Sequence, residues 1–199
     1  MKTHMQKDIK FLFNEKKARA AAAFTLSLSG GTLPLEKLQA LLYIADRASL
    51  GKYATPITTE TWYRGGACPV YGTNLVKMFD DGWFRNLGSE KVPVTVVLNG
   101  HHDYLYNLSY ADAETILHTV WLGQCDRFPA KDGEKKMKDA LTAVLSYPEV
   151  KNKAQCEKIP FDEIARTVWP KEHFTEEEWL DEVLTSAYSY NSWVLHPLD

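Results

Sequence analysis

Between Leu35 and Phe79 the chain reads LEKLQALLYIADRASLGKYATPITTETWYRGGACPVYGTNLVKMF, and this run restricts the fold more than any other stretch. Leu35, Leu38, Leu41, Leu42 and Ala45 recur at helical spacing, with Pro34 suited to a first helical position and Glu36 in the first turn. Pro56 keeps Thr55 out of helical geometry, so the helix must stop and Pro56-Ile57-Thr58 must run extended. Gly65-Gly66 permits a sharp bend. Pro69 can then open a third helix, with Leu75, Val76 and Phe79 inward and Gly82 just past its end. Asp46 and Arg47 directly follow the buried stripe. The pair either lies on the helix surface, where it contributes little, or anchors the following loop from a half-buried position. Trp62, Tyr63 and Arg64 cannot all face inward, so part of that segment is exposed. The run holds no G-x-G-x-x-G, no P-loop and no metal-ligand spacing.

A chain of 199 residues with 45% hydrophobic side chains can bury one sizeable core. Six tryptophans and ten tyrosines leave some aromatics near the surface, as interface anchors or as ordinary boundary residues. The net charge of −3 gives the chain as a whole no electrostatic footprint for nucleic acid. Charge is unevenly spread. Residues 1–20 carry six cations against two acids, a local +4, and residues 171–182 carry six acids against one lysine, a local −5. Such runs are solvated helix faces or partner-contacting surfaces. Cys68, Cys125 and Cys156 are an odd number at wide spacing, which fits a reducing, cytoplasmic compartment better than a disulfide framework. No signal peptide is read, because the apolar run at Phe11–Phe13 stops at Asn14-Glu15-Lys16-Lys17. No stretch approaches the roughly 20 apolar residues of a membrane helix.

Elsewhere the pattern predicts a helix over residues 5–29 closed by Gly30-Gly31. A β-hairpin is expected around residues 92–108, with its strands about Asn99-Gly100. His101, His102 and Asp103 form an exposed polar tip there, too cramped to share one metal ion. Ser109 and Asp112 begin a helix to Asp126 with Ile116, Leu117, Val120 and Trp121 buried. His118 and Cys125 share its face without an orienting acid, so core-edge packing is favoured over a Cys-His nucleophile. A helix at 134–146 ends at Pro148, irregular chain fills 149–158, and a short helix runs from Pro160 to Trp169. The last helix starts with a Thr175/Glu178 capping box and buries Trp179, Leu180, Val183 and Leu184. Its stripe either closes the core or meets a partner helix.

The run KLQALLYIADRASLGKYATPITTETWYRGGACPV resembles the opening of the Panacea family, also called SocA-like antitoxin domains. Members read K-L-x-K-L-L-Y-x-A-D, then Y-G-x-P-I-T-G-D, then an aromatic stretch ending in G-P-V. Lys37, Leu38, Leu41, Leu42, Tyr43, Ala45, Asp46, Tyr53, Pro56, Ile57, Thr58, Pro69 and Val70 match. Ala54, Thr59 and Cys68 stand where glycines are usual, and Glu60 replaces the common Asp. A looser echo lies at Leu145–Glu149 and Ile159–Phe161. The resemblance covers about residues 8–168 and is specific over 37–70.

The expected fold is therefore mainly α (α+β): a Panacea-like helical domain over residues 1–170, with a C-terminal helical extension over 171–199 packed on it. The resemblance implies an antitoxin that neutralises a cognate protein toxin by direct binding. The alternatives are an adaptor that hands a partner to a protease, and a phage or mobile-element regulatory protein. No cofactor, metal, membrane or enzymatic activity is expected, and nucleic acid is disfavoured as a partner. An enzyme using Cys68 or Cys125 with a distant histidine would need an electropositive pocket that nothing local supplies. The candidate partner surface comprises Tyr43, Asp46, Arg47, Tyr53, Thr58, Trp62, Tyr63 and Arg64, shaped by Pro56, Pro69 and Val70, although the termini could equally carry recognition.

Overall fold

A computed structural model describes residues 8–66, 68–79, 83–87, 95–98, 104–123 and 141–196. Among the described residues the fold is mainly α with two small antiparallel sheets.

Helix α1 spans Glu15–Leu28. It begins ten residues later than its apolar spacing suggests, because Asn14 caps it: the Asn14 side chain accepts from the Lys17 N–H at 3.1 Å. Before the cap the chain is extended rather than helical. Ile9 and Phe11 are buried while Lys10 and Leu12 are exposed, a period of two that short windows confuse with helical spacing. Gly31 N–H donates to Leu26 at 2.7 Å and Gly30 N–H to Ser27 at 3.3 Å, a Schellman ending with both glycines at positive φ. Ala20, Ala21, Ala22 and Ala23 are fully buried, so their thin surface lets α1 lie close to its neighbours.

Strand β1 (Thr32–Pro34) leads into α2 (Leu35–Tyr53), with Pro34 at the cap rather than inside the helix. After α2 come β2 (Trp62–Arg64), β3 (Val70–Gly72) and α3 (Thr73–Met78). Pro69 therefore precedes a strand, not a helix, and Val76 faces solvent. Next are β4 (Phe84–Asn86), β5 (Thr95–Leu98), a 3-10 turn (Tyr104–Asn107) and α4 (Tyr110–Gly123). The expected hairpin over 92–108 does not form. Its first arm, β5, pairs instead with β1 on one side and β4 on the other, aligning Val96 with Leu33 and Asn86. The second arm coils into the 3-10 turn because Ser109 and Asp112 begin α4 immediately after it; Asp112 accepts from the Ser109 N–H at 2.9 Å. Tyr106 and Leu105, exposed on that turn, have no sheet to cover. The Asn-Gly tip, Cys125, and most of the expected 134–146 helix lie outside the described residues, though 141–146 are helical.

Pro148 ends that segment as expected and opens a one-turn helix, α5 (Pro148–Lys151). Strand β6 (Lys158–Ile159) then completes a second sheet, ordered β3-β2-β6. It is followed by α6 (Phe161–Val168) and α7 (Glu176–Leu195). The Thr175/Glu178 capping box is present, and Trp179, Leu180, Val183 and Ala187 join the common core. Leu184 packs against it from a half-buried position, whereas Leu117 of α4 is exposed rather than buried. Asn191 fastens α7 to the opening segment, accepting from the Leu12 N–H at 2.7 Å and donating to the Lys10 carbonyl at 2.8 Å. The C-terminal helix therefore closes the same core as the rest. Among the described residues no helix is long and apolar enough to cross a membrane.

Two of the three positions at which the Panacea pattern would place glycine are left-handed here: Ala54 at φ 57° and Thr59 at φ 53°. Cys68 is not among the positive-φ residues, so losing that glycine costs no backbone strain. Ala54→Gly is expected to raise stability by about 0.5 kcal/mol. It removes a left-handed alanine costing about 1–2 kcal/mol and adds about 0.5–1 kcal/mol of unfolded-chain freedom. Urea midpoints of the two proteins check this, and a lower midpoint for the glycine variant refutes it. Thr59 differs, because its hydroxyl accepts from the Asn14 N–H at 3.1 Å and so steadies the α1 cap.

Candidate functional site

The corner between α2 and β2 is built around one carboxylate. Asp46 is almost fully buried, and every donor around it comes from the next sixteen residues. Oδ1 accepts from the Ile57 and Thr58 N–H groups at 2.9 and 2.7 Å, and Oδ2 accepts from Thr58 Oγ1 at 2.5 Å and Trp62 Nε1 at 2.9 Å. The chain bends at Ile57 and Thr58 instead of running extended as expected, and both N–H groups point to the Asp46 carboxylate. The anchoring alternative for Asp46 is the one realised, and its partner is the loop rather than Arg47. Burial pushes the Asp46 carboxyl up to about 6, against the pull of its four donors.

The sign of that shift fixes a pH dependence. A carboxyl raised in the folded state binds its proton more tightly than the unfolded chain does, so stability rises as pH falls from above about 6 toward 4. Burial also raises Glu60 and Asp162, which act in the same direction. Asp46→Asn removes the largest part of this slope. Urea unfolding at about pH 4.5 and about pH 7, on either side of the Asp46 titration, is expected to show a wild-type advantage over Asp46→Asn that shrinks as pH rises. An advantage independent of pH would refute it.

A second carboxylate, Glu60, is fully buried and faces the other way. It accepts from the Thr61 N–H at 2.8 Å, Asn74 Nδ2 at 3.0 Å and the Leu75 N–H at 2.7 Å, and so holds the first turn of α3. A third, Glu149 at the start of α5, accepts from Tyr43 Oη at 3.0 Å and Arg47 Nε at 2.7 Å. The Arg47 guanidinium stacks over the Tyr147 ring at 4.0 Å. Burial and the neighbouring Glu149 raise the Tyr43 hydroxyl far above its ordinary range, so it stays a neutral donor.

Arg64 secures the Gly-Gly bend by donating to the Gly65 and Pro69 carbonyls, and the Gly65 N–H donates to Pro69 at 3.0 Å. Gly65 has no room for a side chain: a Cβ there would lie 1.9 Å from the Cys68 carbonyl oxygen. On the outer side of β2 and β3, Tyr63 and Tyr71 stack with centroids 5.5 Å apart.

These placements correct the expected partner surface. Tyr43, Asp46, Pro56, Thr58, Trp62 and Pro69 are buried, because the aromatic and polar groups of the run satisfy one another inside the corner. Arg47 and Arg64 are half-buried and occupied with internal acceptors. Val70, expected to shape the surface, is buried too, which leaves Tyr53, exposed beside Glu114, and half-buried Tyr63 on the open side of its sheet. Glu60, Glu149 and Gly72 were missed. In the sequence the signals are Glu60, which departs from the aspartate of the Panacea pattern, and Glu149, which lies in the looser echo of that pattern after Tyr147-Pro148. Among the described residues no group of three or more His, Cys, Asp or Glu could hold a metal ion. Burial pushes the Cys68 thiol up to about 11, opposite to the shift an activated nucleophile needs. No protein-family model, curated protein or solved structure matches the chain.

Proposed function

We propose that this chain is a binding protein, an antitoxin of the cytoplasm that neutralises a protein toxin by direct contact. The observation that carries the reading is the convergence of the family-like positions. Asp46, Ile57 and Thr58 form one hydrogen-bonded hub with Trp62, and Tyr43 packs its ring against Trp62 at 5.4 Å. The matched residues thus act together as a scaffold, and two of the positions that relatives fill with glycine have the left-handed backbone glycine favours. A rigid corner of this kind suits a protein that presents a preformed surface. The raised Cys68 thiol weighs against the thiol-enzyme alternative.

Co-expression with the adjacent reading frame tests it. The expected result is a small protein that is lethal alone, harmless beside this chain, and recovered with it as a stable complex by size exclusion. A harmless neighbour, or rescue without any complex, overturns direct neutralisation.

A further inference from the structure

With the family-like residues turned inward, recognition needs another surface, and one groove combines the necessary features. It runs past the start of α1 in three connected stretches. The first, of about 210 Å³, lies beside Lys77 and Met78. It shares Phe13 and Glu15 with the middle stretch of about 910 Å³, whose walls include Trp83 and Trp193. The middle shares Asn107 and Trp193 with a third stretch of about 540 Å³ reaching Tyr106.

Its charge is uneven in an informative way. Lys17 is paired with Asp112 at 3.1 Å and Arg19 with Glu15, so those cations are answered by the chain's own acids. Lys16 and Lys77 are exposed and, among the described residues, take part in no ion pair. They stand at different stretches of the groove with aromatic rings between and beyond them. Tyr106 is 87% exposed and Trp193 51% exposed. Rings that are wide open beside unpaired lysines are the usual anchors of a protein interface, and two cations in separate hollows that share lining residues complement an extended acidic chain rather than a compact ligand.

We propose that this groove docks an extended acidic segment of a protein partner, setting carboxylates at Lys16 and Lys77 and apolar side chains against Trp193 and Tyr106. The proposal rests on the binding-protein reading and gives that partner its chemistry. It also gives Thr59 a role: by holding the Asn14 cap, it ties the rigid corner to the wall of the groove.

The probe is a labelled peptide in which glutamates alternate with leucine and tryptophan, titrated into the full chain by fluorescence anisotropy. Controls are the same peptide with lysines for the glutamates, and single-stranded oligothymidine. The wild type is expected to bind the acidic peptide about tenfold or more tightly than either control. Lys16→Glu with Lys77→Gln, and separately Trp193→Ala, are expected to weaken it about tenfold with the urea midpoint retained, since these are surface positions. No binding, equal binding by the variants, or preference for oligothymidine overturns the proposal. The same variants in the co-expression assay separate the two readings. Rescue that survives both variants removes the groove and leaves the antitoxin, whereas a harmless neighbouring frame removes the antitoxin while the peptide titration still decides the groove.

Discussion

Asp46→Ala is expected to lower the unfolding free energy by about 4 kcal/mol at pH 7, among the largest losses any single side chain here can cause. The substitution leaves the Ile57 and Thr58 N–H groups and Trp62 Nε1 facing a buried void with no acceptor. Each such orphaned donor costs about 1–3 kcal/mol, and bonds to a charged acceptor are worth more than neutral ones. No rearrangement within the corner replaces the carboxylate, because Ile57, Thr58 and Trp62 are themselves fully buried. Trp62→Phe isolates one of the bonds: the ring stays, the N–H is lost, and the expected loss is about 1–2 kcal/mol. Urea unfolding monitored by circular dichroism measures both. An Asp46→Ala loss near that of Trp62→Phe would mean that the hub contributes no more than one of its bonds.

The helices were readable where polar punctuation and apolar stripe agree. Thr175 and Glu178 mark the start of α7 chemically as well as by pattern, and the structure has the capping box there. Gly30-Gly31 ends α1 for the same reason. The opening segment was misread because Ile9, Leu12 and Phe13 fit a helix as well as a strand over so few residues. What decides is Asn14, whose cap could not be recognised until the helix it serves was known. The sheets were the hardest part. Their strands are two to four residues long, and each sheet has one pairing across a wide sequence separation, Trp62 with Ile159 and Leu33 with Val96, whose bonds no local window contains. The expected hairpin failed for that reason: β5 found its partners in β1 and β4, which a reading of neighbouring residues does not weigh.

The candidate site was legible as a set but not in its orientation. Tyr43, Asp46, Thr58 and Trp62 do belong together. Aromatic and charged residues crowded into one run suggest a surface, yet here the polar groups find internal partners, Asp46 within the run and Tyr43 and Arg47 at Glu149, which removes the reason to face water. Asp46 and Glu60, both fully or almost fully buried, look in the sequence like two more acids of an acidic protein. Their burial follows from the backbone donors around them, and composition does not record those.

Gly72→Ala is expected to cost about 3 kcal/mol, and the reason is a collision rather than backbone strain. Gly72 has φ −115°, which any residue adopts, so a substitution there would pass unnoticed on conformational grounds. A Cβ at this position would lie 2.3 Å from Glu60 Cγ and 2.7 Å from Cδ. Neither side can yield cheaply. The Gly72 N–H is held by buried Gln39 Oε1 at 2.8 Å, and β3 pairs it opposite Trp62. Glu60 is held by three donors, two of them in the first turn of α3. A thermodynamic cycle separates this mechanism from a general weakness of the strand. Glu60→Ala alone is expected to cost about 3 kcal/mol through the Leu75 N–H and Asn74 amide left without acceptors. It also vacates the space the new Cβ needs. The double variant is therefore expected to lose about as much as Glu60→Ala alone, a coupling of about 3 kcal/mol between the two positions. Additive losses would show that Gly72 matters for some reason other than its contact with Glu60.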